Sequence, residues 1–541
     1  MVEEMVSNKP NTFLGLDLST QQLKLIAVDK ELCIIAEEVV NFDRDLPEFK
    51  TQGGVQRHAD LLTVTAPTLM WVKALDLLME RMKSKGFPFV DVACISGTGQ
   101  QHGSVYWKSG TKTRLNNLDP SKGLYEQLKE SFAIDNSPIW MDSSTTAQCR
   151  ALEQVVGGAQ ALAEITGSRA YERFTGNQIA KIHQTKPASY DECEHISLVS
   201  SFLASLFLGD YAPIDYSDGS GMNLMNIHTK TWESVCLQAC APNLEKKLGD
   251  LVPSSQGIGE ISKYLCSRYG FHKSCEIVAF TGDNPASLAG VRLQKTDICI
   301  SLGTSDTLML WLNTPKPAVK GHIFVNPVDK NAYMALLCFK NGSLVRESVR
   351  DQCSDGSWEI FGQSLSRSPP GNSGNIGIYF HETEITPFAQ GVYRFDKNDV
   401  EVQSFTNDEE IRALVEGQFL AKRVHAEDLG LTVDKDSRIL ATGGASQNQA
   451  ILQVLSDIFH APVFTIPGTA NSACLGCAYR AKHGWSGTTD VKYDEIFPKN
   501  EQYDLAVTPR VENKDLYDVM AKRYKTLEQC INNKSLSAKS N

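Results

Sequence analysis

A chain of 541 residues exceeds what one hydrophobic core usually holds, so two or more domains are expected. With 42% hydrophobic and 22% charged residues it has a globular composition, and its formal net charge of −11 argues against nucleic acid or an anionic membrane as partner. Its 14 cysteines are scattered, no apolar run reaches a membrane span, and MVEEMVSNKPN lacks a secretory pattern, so a cytoplasmic protein with reduced thiols is expected.

Thr12–Leu18 is predicted as a strand that ends in the turn Ser19-Thr20-Gln21-Gln22. Strands at Leu23–Asp29 and Cys33–Phe42 follow. Apolar Leu62, Leu69, Val72, Leu75, Leu78 and Met82 predict a helix over 60–85, and Val90–Ser96 a further strand. This β-β-β-α-β order departs from the strand–helix alternation of a dinucleotide-binding unit. The run SLVSSFLASLFLG reads as a buried helix. Farther on, the strand Asp297–Leu302, the turn Gly303–Asp306 and the strand Thr307–Leu312 repeat the opening hairpin at Gly15–Asp29. Two domains of related α/β architecture are therefore expected, 1–293 and 294–541, each with one polar hairpin turn. The stretch 354–375, rich in Ser and Gly, is expected to be irregular, and the final SLSAKSN to fray.

Five segments carry candidate chemistry. In Asp17-Leu-Ser19-Thr20-Gln21-Gln22, a carboxylate ends a strand before a turn whose N–H groups and hydroxyls suit a phosphate. Asp17 suits Mg²⁺, directly or through water. An ordinary hairpin fits this segment equally well. Gly303-Thr304-Ser305-Asp306 is a second such turn, and the pair says more than either alone. Ala441–Gln449 joins a strand to a helix through Gly443-Gly444-Ala445, with Ser446 and Gln449 in capping-box spacing. There Asn448 faces either a flat ligand or only its own helix. In Thr281–Ser287, Asn284 is a good N-cap, Pro285 suits the first helical position, and Asp283 falls between strand and helix. A carboxylate there can accept a hydroxyl's proton during phosphoryl transfer, or merely cap the helix. In Ser96–Gly103, Gln100-Gln101-His102 can bond sugar hydroxyls, whereas the third glycine is misplaced for a dinucleotide fingerprint.

Arg173 in Tyr171–Gly176 suits a substrate oxygen or an acidic neighbour, and Trp140-Met141-Asp142 a pocket wall or a helix cap. Cys474 and Cys477, an isolated CxxC among small residues, read as buried side chains. No Walker A sequence and no protein-kinase signature is present.

In order, GLDLSTQQLK, GTGQQHG, TGDNPASLAG, SLGTSD and LATGGASQNQAILQVLSDIF resemble the FGGY carbohydrate-kinase family, which includes glycerol, gluconate and xylulose kinases. The segments NFDRDLPEFKTQGG, WMDSSTTAQC, GSRAYERFTGNQI and PIDYSDGSGMNL resemble its eukaryotic xylulose-kinase branch. The resemblance implies two RNase H-like, actin-like ATPase domains flanking a catalytic cleft and closing over ATP. It implies Asp283 as the base toward a sugar hydroxyl, with His102, Arg173, Asp283 and Asn284 on the sugar. Ser19, Thr20, Gln21, Thr304, Trp358, Gly444, Ala445 and Asn448 would hold ATP, and Asp17 with Asp283 would hold Mg²⁺. A small-molecule sugar is the implied partner, and no exposed apolar stripe argues against a monomer. Two departures are visible: Ser19 stands where the family often has Gly, and Phe174–Gln184 fits the family signature loosely. A kinase for another ketose or polyol, a non-catalytic ATP or sugar sensor and a nucleotide-dependent oxidoreductase are the rival readings.

Overall fold

The structure, a computed structural model, describes residues 10–466, 471–485, 491–498 and 503–540. Two compact units emerge. The first holds the described residues of Met1–Arg292, Phe324–Ala332 and Ala470–Glu501; the second holds those of Leu293–Ile323, Tyr333–Thr469 and Gln502–Asn541.

In the first unit, β1 (Thr12–Leu18), β2 (Gln22–Val28) and β3 (Ile34–Asn41) form an antiparallel meander. Helix α1 (Thr68–Ser84) then leads to β4 (Val92–Gly99), which lies parallel to β1. Helices α2 (Thr175–Thr185) and α3 (Val199–Leu208) follow, then β5 (Gly257–Glu260), β6 (Glu276–Val278), β7 (Thr281–Gly282) and α4 (Asp283–Gly290). The sheet order is β5-β6-β4-β1-β2-β3, and β7 also pairs with β4. β1 and β4 are apolar along most of their length because helices cover both faces. β3 sits at the edge, exposed at Ile34, Ile35 and Glu37 and buried at Val40. Leu14, Leu25, Trp71, Leu75, Leu78, Phe202 and Ile277 meet in one core.

The second unit contains β8 (Ile298–Leu302), β9 (Asp306–Leu312), β10 (Tyr333–Phe339), α5 (Ser343–Cys353), α6 (Trp358–Arg367) and α7 (Asn407–Asp428). Then come β11 (Ile439–Thr442), α8 (Gln449–Phe459), β12 (Val463–Thr465) and β13 (Asp504–Val507). Its sheet contains the order β10-β9-β8-β11-β12-β13. Step by step this repeats β3-β2-β1-β4-β6-β5, with the same alternation of antiparallel and parallel pairs. The outermost strand precedes its neighbour in one sheet and follows it in the other. Each unit is thus a mixed α/β fold of the RNase H-like kind.

The contiguous division at 293/294 requires correction. Phe324–Ala332 and Ala470–Glu501 cluster with the first unit. The helix Ser472–Gly484 packs on β1, β4 and α4 because glycines leave room for its backbone. A Cβ on Gly15 would lie 2.1 Å from the Cys474 carbonyl oxygen, and one on Gly290 would lie 1.8 Å from that of Ser472. Cys474 and Cys477 are buried in this helix and unbonded to each other.

Three local expectations also change. The helix predicted over 60–85 begins only at Thr68, because Asp60 forms a turn with the N–H groups of Leu62 and Thr63 and Pro67 lacks a donor. The stretch 354–375 includes α6, which Ser357 caps by accepting the Ile360 N–H. The C-terminal helix Lys514–Ser540 takes in most of SLSAKSN. Among the described residues no helix is long and apolar enough to cross a membrane.

Candidate active site

In the first unit the sheet register gathers Asp17, Thr98 and Thr281. Asp17 pairs across to Thr98 and Thr98 to Thr281, so these residues lie at the carboxyl ends of three neighbouring strands. Ligand sites of α/β sheets form at such ends. The β1–β2 turn is closed by the Ser19 N–H donating to the Gln22 carbonyl, 3.0 Å. Thr20 accepts the Trp140 indole N–H through its hydroxyl, 2.8 Å, and the Gln21 carbonyl accepts the Phe42 N–H. Trp140 therefore braces the turn rather than capping a helix. Burial pushes the Asp17 carboxyl up to about 6, against the Ser19 hydroxyl and Lys24, which favour its charge. Its Oδ1 is buried without a hydrogen-bond partner among the described residues.

Asp283 opens α4. Gly282 is the N-cap, so the helix starts earlier than an Asn284 cap with Pro285 first would place it. The glycine is required there: a Cβ would lie 2.3 Å from Gln101 Cγ and 2.7 Å from Asp218 Oδ1. Desolvation, then the negative charge of Asp17, pushes the Asp283 carboxyl up to about 7, while nearby backbone N–H groups pull it back. Asn284 Nδ2 donates to Asp283 Oδ1, 3.1 Å, and to Gln101 Oε1, 2.8 Å. Asn284 thus ties the carboxylate to the Gln101-His102 strand end instead of capping the helix.

His102 has a positive φ of 69°, and its Nδ1 lies 2.8 Å from the Gly221 carbonyl. A carbonyl only accepts, so Nδ1 carries the hydrogen and Nε2 is left as an acceptor. Burial, aided by the Arg173 charge, pushes the imidazole down to about 3, so it stays neutral. The Arg173 guanidinium lies over the rings of Tyr171 and Phe174, 5.0 and 5.7 Å from their centroids. Asp17, Asp283 and Asn284 are thus linked through contact or charge, as are His102 and Arg173, and Asn284 joins the first set to Gln101, the neighbour of His102 in the chain.

In the second unit, Thr304, Trp358, Gly444, Ala445 and Asn448 line one cavity of about 810 Å³, with Gly303, Ser343, Arg346 and Ile451. Gly443 has φ +83°, which turns the chain out of β11, and space is open beside Gly444. Asn448, not Ser446, caps α8 by accepting the Ile451 N–H, 3.1 Å; Gly444–Gln447 is a separate 3₁₀ turn. Trp358 packs edge-on against Phe361 and under the Arg350 guanidinium at 4.8 Å.

Several residues escaped the sequence reading. Asp215 and Asp218 are fully buried near Asp283, and burial together with their mutual charge pushes Asp218 far up. The Ser200 hydroxyl donates to Asp218, 2.6 Å. Arg480, fully buried, donates to the Ser254 and Ala279 carbonyls beside β7. Asp215 and Asp218 fall in the segment PIDYSDGSGMNL, but nothing in its spacing marks them as site residues; long-range packing selects them and Arg480.

Residues 129–290 match the N-terminal domain of the FGGY family of carbohydrate kinases and residues 298–485 its C-terminal domain. A xylulose kinase of Rattus norvegicus is 58% identical over 522 residues, covering 96% of this chain and 97% of that protein. Xylulose kinase 2 of Arabidopsis thaliana is 48% identical over 487 residues, 87% of each chain. The crystal structure of xylulose kinase from Rhodospirillum rubrum superposes with a TM-score of 0.78 at 15% identity, covering 96% of this chain and 99% of that one, a likeness of fold.

Proposed function

Because the chain belongs to the FGGY family of carbohydrate kinases, we propose that it transfers the γ-phosphoryl group of ATP to the 5-hydroxyl of D-xylulose. The full-length similarity to proteins named xylulose kinase carries the substrate assignment. Sugar binding belongs to the first unit and nucleotide binding to the second.

Phosphoryl transfer needs positioning and charge neutralisation more than covalent chemistry. Asp283 is the general base. Its raised carboxyl, poised at about 7, accepts the hydroxyl proton as the oxygen attacks phosphorus. Asn284 holds Asp283 Oδ1 in place. His102 accepts a sugar O–H through Nε2, and Arg173 donates to a sugar oxygen. On the second unit, Thr304 meets the phosphates, while Gly444, Ala445, Asn448 and Trp358 hold the adenosine. Ser19, Thr20 and Gln21 supply phosphate donors from the first hairpin.

Asp17 and Asp283 fit a magnesium ion: Asp17 Oδ1 lacks a partner among the described residues, and the charge of Asp17 raises the cost of ionising Asp283. Among the described residues no group of three or more His, Cys, Asp or Glu side chains gathers as a metal site. The ion would thus rest on one or two carboxylates, phosphate oxygens and water, where it neutralises the phosphate charge.

A coupled ADP-release assay over ketoses and polyols tests this reading. Turnover with D-xylulose that Asp283→Ala lowers by at least 10³-fold is expected. Preferential turnover of another sugar overturns the substrate, and nucleotide binding without turnover overturns the kinase reading.

A further inference from the structure

Beneath the hairpin turn Gly303–Ser305 lies a buried ionic lock. Asp306, the first residue of β9, is fully buried. Arg346 of α5 grips both its oxygens, Nη1 to Oδ2 at 2.8 Å and Nη2 to Oδ1 at 2.9 Å. Lys422 of α7 approaches Oδ2 at 2.9 Å and is itself 1% exposed. Gln418, one turn earlier on α7, accepts from Arg346 and donates to the Asn341 carbonyl, both at 2.8 Å. The start of α5 closes on the same turn, with the Ser343 N–H donating to the Gly303 carbonyl at 2.9 Å. A Cβ on Gly342 would lie 2.6 Å from the Thr304 carbonyl oxygen.

The charges balance. Asp306 and the buried Glu384 face Arg346 and Lys422, and Glu384 is held by the N–H groups of Lys340, Asn341 and Ile385. A charge-neutral cluster adds little net field at the turn. Its consequence is geometric: two helices and a strand pin one carboxylate, and that carboxylate begins the strand leaving the turn. Breaking one arm of a buried ion pair leaves the other charge uncompensated, so the arrangement admits few alternatives.

Resting on the reading that the second-unit cavity takes ATP, we infer that the Asp306–Arg346–Lys422 lock holds Gly303 and Thr304 in the conformation that grips the terminal phosphates. Arg346 and Lys422 are thus positioning residues for phosphate recognition, distinct from the groups that hold the adenosine. Replacing the lock costs affinity in proportion to the phosphates beyond the first, since only those reach the hairpin.

The test measures dissociation constants of AMP, ADP and ATP, and the sugar KM, for wild type, Lys422→Met, Lys422→Arg and Asp306→Asn, with thermal midpoints alongside. Lys422→Met and Asp306→Asn are expected to weaken ADP and ATP at least tenfold. AMP should change by less than twofold and the sugar KM should stay fixed. Lys422→Arg should restore most of the loss. If AMP weakens by the same factor as ATP, or if folded Lys422→Met or Asp306→Asn binds ATP normally, the inference fails while the functional reading stands. Should Lys422→Met not fold, Asp306→Asn and Lys422→Arg decide the matter. A wild type that binds no adenine nucleotide overturns the functional reading and the inference with it.

Discussion

The imidazole of His102 stacks on the ring of Phe174, centroids 4.3 Å apart and planes 18° from parallel. Together with the Gly221 carbonyl at Nδ1, this platform fixes both the plane and the tautomer of the ring. Phe174→Leu should free the ring and raise the sugar KM about tenfold, the loss of ~1.4 kcal/mol, while the ATP KM stays constant. Steady-state kinetics with each substrate varied checks this. Equal changes in both KM values would mean a general loss of structure.

The raised carboxyl of Asp283 carries a stability cost with a definite pH dependence. In the unfolded chain it titrates at its ordinary value of 3.8, and in the folded apoprotein at about 7. Between these values the folded state binds more protons, so its stability falls as pH rises through that window. Asp283→Asn should therefore stabilise the metal-free, ligand-free protein at pH 8 by a few kcal/mol, by order of magnitude. The gain should shrink through pH 6 and vanish by pH 4. Thermal unfolding in chelator at these pH values reads it; a gain that is constant with pH would refute the assignment.

Gly443 combines φ +83° with a backbone neighbour: an added Cβ would lie 2.5 Å from the Leu302 carbonyl oxygen. Gly443→Ala should cost about 1–3 kcal/mol in stability through backbone strain. Because the next residues of this turn, Gly444 and Ala445, line the cavity, ATP affinity should fall more than tenfold. Calorimetry with ATP, at a temperature where the variant is folded, tests it.

Gly476 lets the helix Ser472–Gly484 approach α4; a Cβ there would lie 1.9 Å from the Ala286 carbonyl oxygen. Gly476→Ala should destabilise the protein by about 1–3 kcal/mol or more through overpacking. Since α4 begins at Asp283, kcat should fall with it while ATP affinity in the second unit is kept. Retained kcat in the folded variant would show that Asp283 is indifferent to this packing.

Much of the fold was legible along the chain because its signals are local. The near-continuous apolar runs of β1 and β4, the polar turns at 19–22 and 303–306, and the glycines after β11 each follow from the conformations and burial their residue types favour. So does the gathering of Thr304, Gly444, Ala445 and Asn448, because every one stands at the end of a strand or the start of a helix in one repeated sheet order. Helix starts differ from expectation where a neighbouring side chain takes the cap, as Asn448 accepts the Ile451 N–H before α8 while the Ser446 hydroxyl donates to the Gly443 carbonyl, or where Pro67 shortens a periodic run.

The sequence by itself determined the two hairpin turns, the strand-end placement of Asp17 and Asp283 and the family to which the chain belongs. Only the tertiary structure decided that the helix Ser472–Gly484 returns to the first unit, that Asp218 lies beneath Asp283, and that Arg346 and Lys422 meet on Asp306. Those relationships join residues tens to hundreds of positions apart. What selects them is close backbone approach at glycine and the cost of leaving a buried charge unpaired, and neither leaves a periodic trace in the chain.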